Sequence, residues 1–512
     1  MNLASHYLYA FAAKDIQSYI LRGGKLREMI GGSELINAAC GDFLRETIDA
    51  LGLKHKSVVL TQAAGWARIL FEDDLSARTL YDNWPFLVDR FAPGLQVIQA
   101  YSEVSGSLVD AIRTVEGLIR VERNKICAVL PELGPLVDRN PRTGLPAICK
   151  SPYHDRQSAR KDELRHNTKL IEKISGGRFV KDEWTDDLKK IAGKEQSYIA
   201  VIHADGNSLG KVIIELQSHI VQHPNDAAEI LKWFSAAIED ATVAAARKAY
   251  ERVLLPDSIK RGGVIAARPI VLGGDDLTVI VRADLAFSFA ETFLFEFEKS
   301  STESLGSRLN KFNIKGLPQK LTACAGIAIV KAEYPFARAY ELAESLCGFA
   351  KNTAKNNLAK EYVPSCFAFH RSSSSISGDY QAIQDQELTA RALVEPGKPI
   401  RMWAGPYGCG DYAHHLIPFA SLRSLAETLE KAAKGSVREL ITTLYTDVQK
   451  AEKDFSRIIQ VLNDKSRKEK EEAERLQDAL KNVTGDKRRL WTAEGNCPLL
   501  DAHRLTESEV GK

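Results

Sequence analysis

Through the middle of the chain the apolar positions fall into short runs rich in Val and Ile, not into the three-and-four spacing of helices. Ser197 to Asp205, residues 269–272, residues 277–281, residues 321–330 and residues 365–370 each have the length and composition of a buried strand. The spacing becomes helical from Pro335 to Asn352, with Lys351 near the end of that stretch. It becomes helical again from Pro418 onward, where Lys465 to Leu480 is a mixed-charge run of the kind that covers a solvated helix face. A strand, a helix, a hairpin, a second helix and a further strand in this order predict a ferredoxin-like α+β palm, followed by an α-helical domain.

The hairpin carries the chemistry. Between its two apolar runs lie Gly273, Gly274, Asp275 and Asp276. Glycine suits such a turn because a central position needs positive φ, and because a missing side chain lets a phosphate approach the backbone. Two successive acids are harder to explain as structure: they repel, and burying either raises its pKa unless a cation neutralises it. Magnesium is such a cation, taking a few carboxylates and leaving its other positions to water and substrate phosphates. Gly and Asp are equally at home in a plain surface turn, so the tetrad alone leaves both readings open.

A second acid weighs against the plain turn. Asp205 ends an apolar strand and is followed by Gly206, Asn207 and Ser208 at the start of a predicted helix, whose free N–H groups favour phosphate. By itself Asp205 reads equally as an N-cap. With the hairpin it makes a two-metal site, with Asp205, Asp275 and Asp276 as catalytic residues and metal ligands. Gly206, Asn207, Ser208, Gly273, Gly274 and Lys351 are then the nucleotide-binding set, and Lys351 reads as a triphosphate contact or as a solvated helix lysine.

Taken in order, these motifs resemble the GGDD palm of the large polymerase-like subunit of type III CRISPR effector complexes, a relative of GGDEF and class III nucleotidyl cyclases. The resemblance rests on the Asp-Gly-Asn strand end at Asp205, the Gly-Gly-Asp-Asp-Leu hairpin, the Ala-Gly-Ile-Ala strand at Ala325 and the helix ending in Ala350-Lys351. A GGDEF enzyme would carry Glu and Phe where this chain has Asp276 and Leu277. The resemblance implies conversion of ATP, or of another nucleoside triphosphate, into a cyclic oligoadenylate-type messenger in anti-phage defence, with two Mg or Mn ions per site. Small CRISPR subunits with guide and target RNA are the implied partners. A free-standing cyclic nucleotide synthase of another defence system, with a homo-oligomer as its assembly, and a silent nucleotide-binding scaffold are the alternatives.

The N-terminal region, from His6 through Ile20 and on to Ile36, resembles the first palm of the same subunits and implies an internal duplication. Its counterpart of the hairpin is expected at Ala64, Gly65, Trp66 and Ala67, without acids, so the first palm is expected to be catalytically silent. Asp15, Gln17 and the segment from Gly23-Gly24 to Ser33 are candidate contacts to an acceptor nucleotide, or caps and turns. The expected domains are 1–135, a degenerate first palm; 136–190, a linker; 191–370, the second palm; and 371–512, a mainly helical domain. The linker resembles one that often carries a four-cysteine zinc knuckle, but only Cys149 is present, with His154 and His166 nearby, and structural zinc needs about four ligands. No zinc is therefore expected. His154-Asp155 reads as a loop pair, and no fused HD nuclease is expected.

Bulk properties decide little more. The 512 residues exceed the usual size of one core, which agrees with several domains. With 69 basic and 67 acidic residues the formal net charge is +2, which gives no global drive toward nucleic acid. The 8 cysteines form no pairing pattern and read as reduced thiols of a cytoplasmic protein. No signal peptide or apolar run of about 18 residues is present, so no membrane partner is expected.

Overall fold

The structure is a computed structural model and describes residues 6–63, 65–125, 136–150, 153–166, 168–178, 183–193, 197–312, 314, 317–356, 363–372, 377–395, 398–410, 415–433 and 435–509. The N-terminal part runs β1 (Tyr7–Lys14), α1 (Ile16–Leu21), α2 (Leu26–Cys40), α3 (Asp42–Ala50), β2 (Ser57–Ala63), β3 (Trp66–Phe71), α4 (Asp74–Phe91), β4 (Gln96–Glu103) and α5 (Leu108–Asn124). Its sheet has the order β2-β3-β1-β4 with antiparallel neighbours. This is the ferredoxin-like arrangement. The central β1 has a neighbour on each side, and its Leu8, Tyr9, Ala10 and Phe11 are all buried.

A connecting region follows with β5 (Ala147–Lys150), β6 (Tyr153–Asp155), α6 (Arg156–Leu164), α7 (Lys169–Ser175) and α8 (Leu188–Ala192). Then come β7 (Tyr198–Gly206), α9 (Leu209–Gln222), α10 (Ala227–Ala249), α11 (Leu255–Lys260), β8 (Ala267–Gly273), β9 (Asp276–Arg282), α12 (Ala286–Lys311), β10 (Ala323–Lys331), α13 (Phe336–Asn356) and β11 (Cys366–Arg371). After these lie α14 (Tyr380–Ile383), the ribbon β12 (Thr389–Glu395) and β13 (Lys398–Arg401), and the short strands β14 (Tyr407–Gly408) and β15 (Ile417–Pro418). The C-terminal helices are α15 (Phe419–Ala433), α16 (Ser436–Leu444), α17 (Val448–Asn463), α18 (Arg467–Thr484) and α19 (Leu499–Glu509).

The second sheet has the order β15-β14-β11-β10-β7-β9-β8. Its part β10-β7-β9-β8 repeats the strand order of the first sheet, so the α+β class and the doubled palm expected from sequence are what the chain adopts. The repetition extends to a detail. In the first sheet Leu60 is an extra residue on β2 opposite β3, and in the second Ile270 is an extra residue on β8 opposite β9. Each bulge lies three residues before the end of its strand, at Ala63 and at Gly273. The 370/371 boundary expected from sequence cuts across this second sheet, which continues through β14 and β15 to Pro418. Buried Asp501 of α19 ties the helical part to it, accepting from the Tyr407 hydroxyl at 2.5 Å and the Ala404 amide at 2.9 Å.

Two further readings are corrected. Trp66 and Ala67 lie in β3, not in the turn of the first hairpin, where Gly65 takes φ 91°; Ala64 lies outside the described residues. His154 and Asp155 are not loop residues: both are buried on β6, and Asp155 caps α6 by accepting from the Ser158 amide at 2.9 Å. The same carboxylate accepts from Asn140 at 2.8 Å and Thr143 at 2.7 Å. Arg142 reaches from this network to Glu28 at 2.6 Å and to the Gly23 carbonyl at 2.8 Å. Hydrogen bonds thus hold the connecting region onto the first palm. Gly23 lies in this clasp, and Ser33 donates to the Ile270 carbonyl across the palm interface. Among the described residues, no helix is long and apolar enough to cross a membrane.

Lys161 is fully buried under α2, donating to the Tyr19 carbonyl with its ammonium 4.2 Å from the Tyr19 ring centre. Burial pulls its pKa down to about 7 from 10.5. Across that window the unfolded chain binds the extra proton, so this group makes stability rise with pH from about 7 upward. Melting curves between neutral pH and pH 10.5 should show that rise in the native protein and a flatter profile in Lys161→Met. At Gly326, on β10, an added methyl would collide with the Ala343 carbonyl oxygen of α13. Gly326→Ala should therefore cost about 1–3 kcal/mol in a denaturant titration.

Candidate functional site

Three backbone features bring the acids together. β7 runs antiparallel to β9 with Ala204 opposite Leu277, so Asp205 comes level with the start of β9. β8 and β9 close with Gly273 opposite Asp276, which leaves Gly274 and Asp275 as a two-residue turn; Gly274 takes φ 61°. The tetrad is therefore half strand and half turn, with Asp275 in the turn, Asp276 at the start of β9 and Asp205 on the neighbouring β7. Gly206 completes the fit: a Cβ there would stand 2.9 Å from the Cβ of Asp275. Any larger residue after Asp205 pushes the hairpin away.

One carboxylate oxygen from each of Asp205, Asp275 and Asp276 lies within 4.8 Å of the other two. Burial, reinforced by the neighbouring Asp205, pushes the Asp275 carboxyl well above the usual aspartate range. The same holds for Asp276, where Asp275 is the strongest charged neighbour after burial. Lys351 answers part of this charge. Its ammonium donates to Asp205 at 2.6 Å and to the Gly206 carbonyl at 2.8 Å. Burial opposes the ammonium, but the bond to Asp205, the charge of Asp205 and the neighbouring thiols together outweigh it and hold the Lys351 pKa above its ordinary value. The donor set is hard oxygen throughout, crowded enough to need a cation, and so fits magnesium or manganese.

The other sequence-predicted residues separate into two groups. Gly273 and Gly274 form the hairpin, and Ser208, exposed and at φ 60°, leads into α9 without a side-chain cap, leaving first-turn N–H groups open. Asn207 is placed differently from the expectation. Only 4% exposed, it turns into the core, bonding the Thr322 hydroxyl at 3.1 Å while its amide bonds the Thr322 carbonyl at 2.8 Å. It fixes the turn after Asp205 from behind and presents no side chain to a phosphate. Lys351 is bonded to Asp205 and to the Gly206 carbonyl, so of the two readings from sequence it is not the solvated helix lysine.

Sequence reasoning missed Glu344, Tyr340 and His203. Glu344 lies seven residues before Lys351 on α13, two turns back on the same face, and its charge helps raise the Asp276 carboxyl. Gln17, carried on α1 of the first palm, donates to Glu344 at 2.7 Å. Tyr340, one turn further back, is buried beside Glu344 and Asp276, which together with burial raise its pKa. His203, two residues before Asp205, meets the Thr278 hydroxyl at 3.1 Å, and burial lowers its pKa. The signal was available in the 340, 344, 347, 351 spacing of α13, which is a single helix face.

The first palm offers no matching acids. Its register pairs Ala12 with Trp66 and Ala63 with Trp66, so Ala12, Gly65 and Trp66 stand where the second palm has Asp205, Asp275 and Asp276. Asp15 is not the counterpart of Asp205. It shares with Ser208 the left-handed conformation, at φ 58°, immediately before a helix.

Residues 198–359 match the family model described as Cas10/Cmr2, second palm domain. Over 94% of its length the chain superposes on 69% of the matched chain in the crystal structure of a Csm1-Csm4 cassette in complex with cA4, at 14% identity and a TM-score of 0.51. The cassette in complex with pppApA gives a TM-score of 0.52 at 13% identity, covering 94% of this chain and 69% of the other. The complex with pppApApA gives 0.52 at 13% identity, covering 98% and 70%. No curated protein sequence matches. These findings bear out the resemblance read from the sequence: the chain is Cas10-like in its second palm and shares the large-subunit fold over nearly its whole length.

Since the folded site holds protons that free aspartates release, the metal-free protein should lose stability as pH rises from the ordinary value of 3.8 past neutrality. Millimolar magnesium should restore melting temperature at pH 8 and do little at pH 5. In Asp275→Asn/Asp276→Asn both the pH-dependent loss and the magnesium effect should vanish. Equal magnesium effects in the native protein and this variant would remove the acids as the metal site.

Proposed function

We propose that this Cas10-like chain is the nucleotidyl-transferring large subunit of a type III CRISPR effector, joining ATP into a cyclic oligoadenylate. The observation that carries the reading is the convergence of Asp205, Asp275 and Asp276 on one point of a palm that otherwise has no use for three repelling carboxylates. The similarity of residues 198–359 to the Cas10/Cmr2 second palm supports it. So does the common fold with Csm1 chains solved with cA4, pppApA and pppApApA, compounds that are products or intermediates of such a reaction.

The residues divide the work as follows. Asp205, Asp275 and Asp276 hold divalent cations, which when bound lower the pKa of an attacking ribose hydroxyl and screen the phosphates. Gly274 and Gly206 keep the backbone at the site free of side chains, so the triphosphate lies against the hairpin and the open N–H groups at Ser208 and Leu209. Lys351 neutralises Asp205 while the site is empty of cations, then turns its ammonium toward phosphate once the acids are engaged. The first palm supplies no acids and serves as the wall against which a second nucleotide is held, with Gln17 as its reach into the site.

Incubating the purified protein with labelled ATP and magnesium or manganese, with and without target RNA and co-purified small subunits, should yield 2′- or 3′-linked adenylate rings and pyrophosphate. Asp275→Asn/Asp276→Asn should remove product by more than the about 10–100-fold that loss of an outer-shell metal partner costs. The variant should still fold. Full activity in that variant would sink the assignment, and no product under any condition would leave the palm a nucleotide-binding scaffold. A product made by the protein alone, without RNA or subunits, would identify a free-standing synthase instead.

A further inference from the structure

The two edge bulges differ in what covers them. In the second sheet the Ile270 carbonyl is taken by Ser33 of α2, and α7 packs beside β8. In the first sheet the bulge at Leu60 opens into a crevice of about 770 Å³ between β2, the α2–α3 junction, α7 and α10. None of Asp205, Asp275, Asp276 or Lys351 lines it, but Gly273 does.

A regular strand would bury alternate residues, whereas the bulge turns Leu60 and Thr61 inward together. Thr61 is 5% exposed, lines the crevice, and its hydroxyl has no hydrogen-bond partner. A buried orphan hydroxyl is destabilising, so a ligand that satisfies it gains affinity. The wall carries Arg45, Lys169, Lys173 and Lys232 against only Asp42 and Glu239. Asp42 is held by Arg45 at 2.5 Å and by Lys169, and Glu239 by Lys173 at 2.8 Å. Lys232 is exposed and, among the described residues, has no carboxylate partner. On the same wall α3 starts from Gly41 with no side-chain cap, its first residue being the ion-paired Asp42. Ala38, Leu60 and Ala236 supply an apolar floor.

We propose that this crevice is a second binding site, for a nucleoside phosphate. Lys232 and the open first turn of α3 take the phosphate, the apolar floor takes the base and sugar, and Thr61 bonds a ribose or base atom. The volume exceeds what a bare phosphate fills, at about 30 Å³ for each water displaced. Because Gly273 ends the strand that carries the acid turn, a ligand seated here touches the catalytic hairpin from outside the acid site.

The test is calorimetric titration of AMP into Asp275→Asn/Asp276→Asn protein in EDTA, where metal-dependent binding at the acids is absent. AMP should bind, Lys232→Glu should weaken it about tenfold, as loss of a charge-assisted hydrogen bond does, and Thr61→Val should weaken it more modestly. Lys351→Ala, which alters only the acid site, should leave it unchanged. Three results would overturn the proposal: no heat at millimolar AMP, binding lost in Lys351→Ala but kept in Lys232→Glu, or inorganic phosphate binding as tightly as AMP. None of these bears on whether the acids transfer nucleotides, which the ATP reaction above decides separately.

Discussion

Three carboxylates with oxygens inside 4.8 Å cannot all be charged in a partly buried site unless positive charge is present. Most of what is unusual about the second palm follows from that constraint. The fold answers it in part with one ammonium, Lys351, bonded to Asp205. It answers the rest by holding protons on Asp275 and Asp276, whose affinity burial and mutual repulsion both raise. A surface turn would need neither. Divalent cations remove both the repulsion and the need for the protons, so the site is poised to exchange protons and an ammonium for metal.

Duplication explains how the chain sustains such a site. Both palms share strand order, and both edge strands carry a bulge three residues before the hairpin. The bulge bends and twists the edge strand, which aims each hairpin turn. In the first palm that aim serves no acids, since Ala12, Gly65 and Trp66 occupy the three positions. What the first palm keeps is its surface: Ser33 fills the bulge of its twin, and Gln17 reaches Glu344. Without acids at these positions the first palm adds no second charge problem to the interface, while it shares the strand order and the bulge of its twin.

Much of the second palm was legible in the sequence because buried central strands have a composition that little else imitates. Residue type and spacing alone placed Asp205 at a strand end and the acid pair at a hairpin, and the fold brings the three acids together. Asn207 was not, because a side chain one residue past a strand end can turn to ligand or to core, and only the position of Thr322, more than a hundred residues away, decides it. The same limit applies to Glu344: its partner Gln17 is 327 positions distant. Edges were misjudged where strands are very short. β14 and β15 have two residues each, too few to show any periodicity, and they move the limit of the second sheet from 370 to 418.

The helix α13 is where these strands of argument meet. Tyr340, Glu344, Cys347 and Lys351 make one face of it, and that face runs along the acid site. Cys347 bonds the Cys324 carbonyl at 3.3 Å, and Gly326 lets the helix backbone sit against β10 with no side chain between. Cys324 is itself the register partner of Asp205. The distance between Lys351 and Asp205 is thus set by backbone packing rather than by a flexible surface, even though lysine is the longest unbranched side chain available for the task. Glu344, held on the same rigid face, is the point where the first palm touches the site through Gln17. A rotation of one palm against the other therefore acts on the site at two places, on Glu344 and its charge near Asp276 through Gln17, and on the strand that carries the hairpin through Ser33, so the geometry of a site whose acids all come from one palm still depends on both.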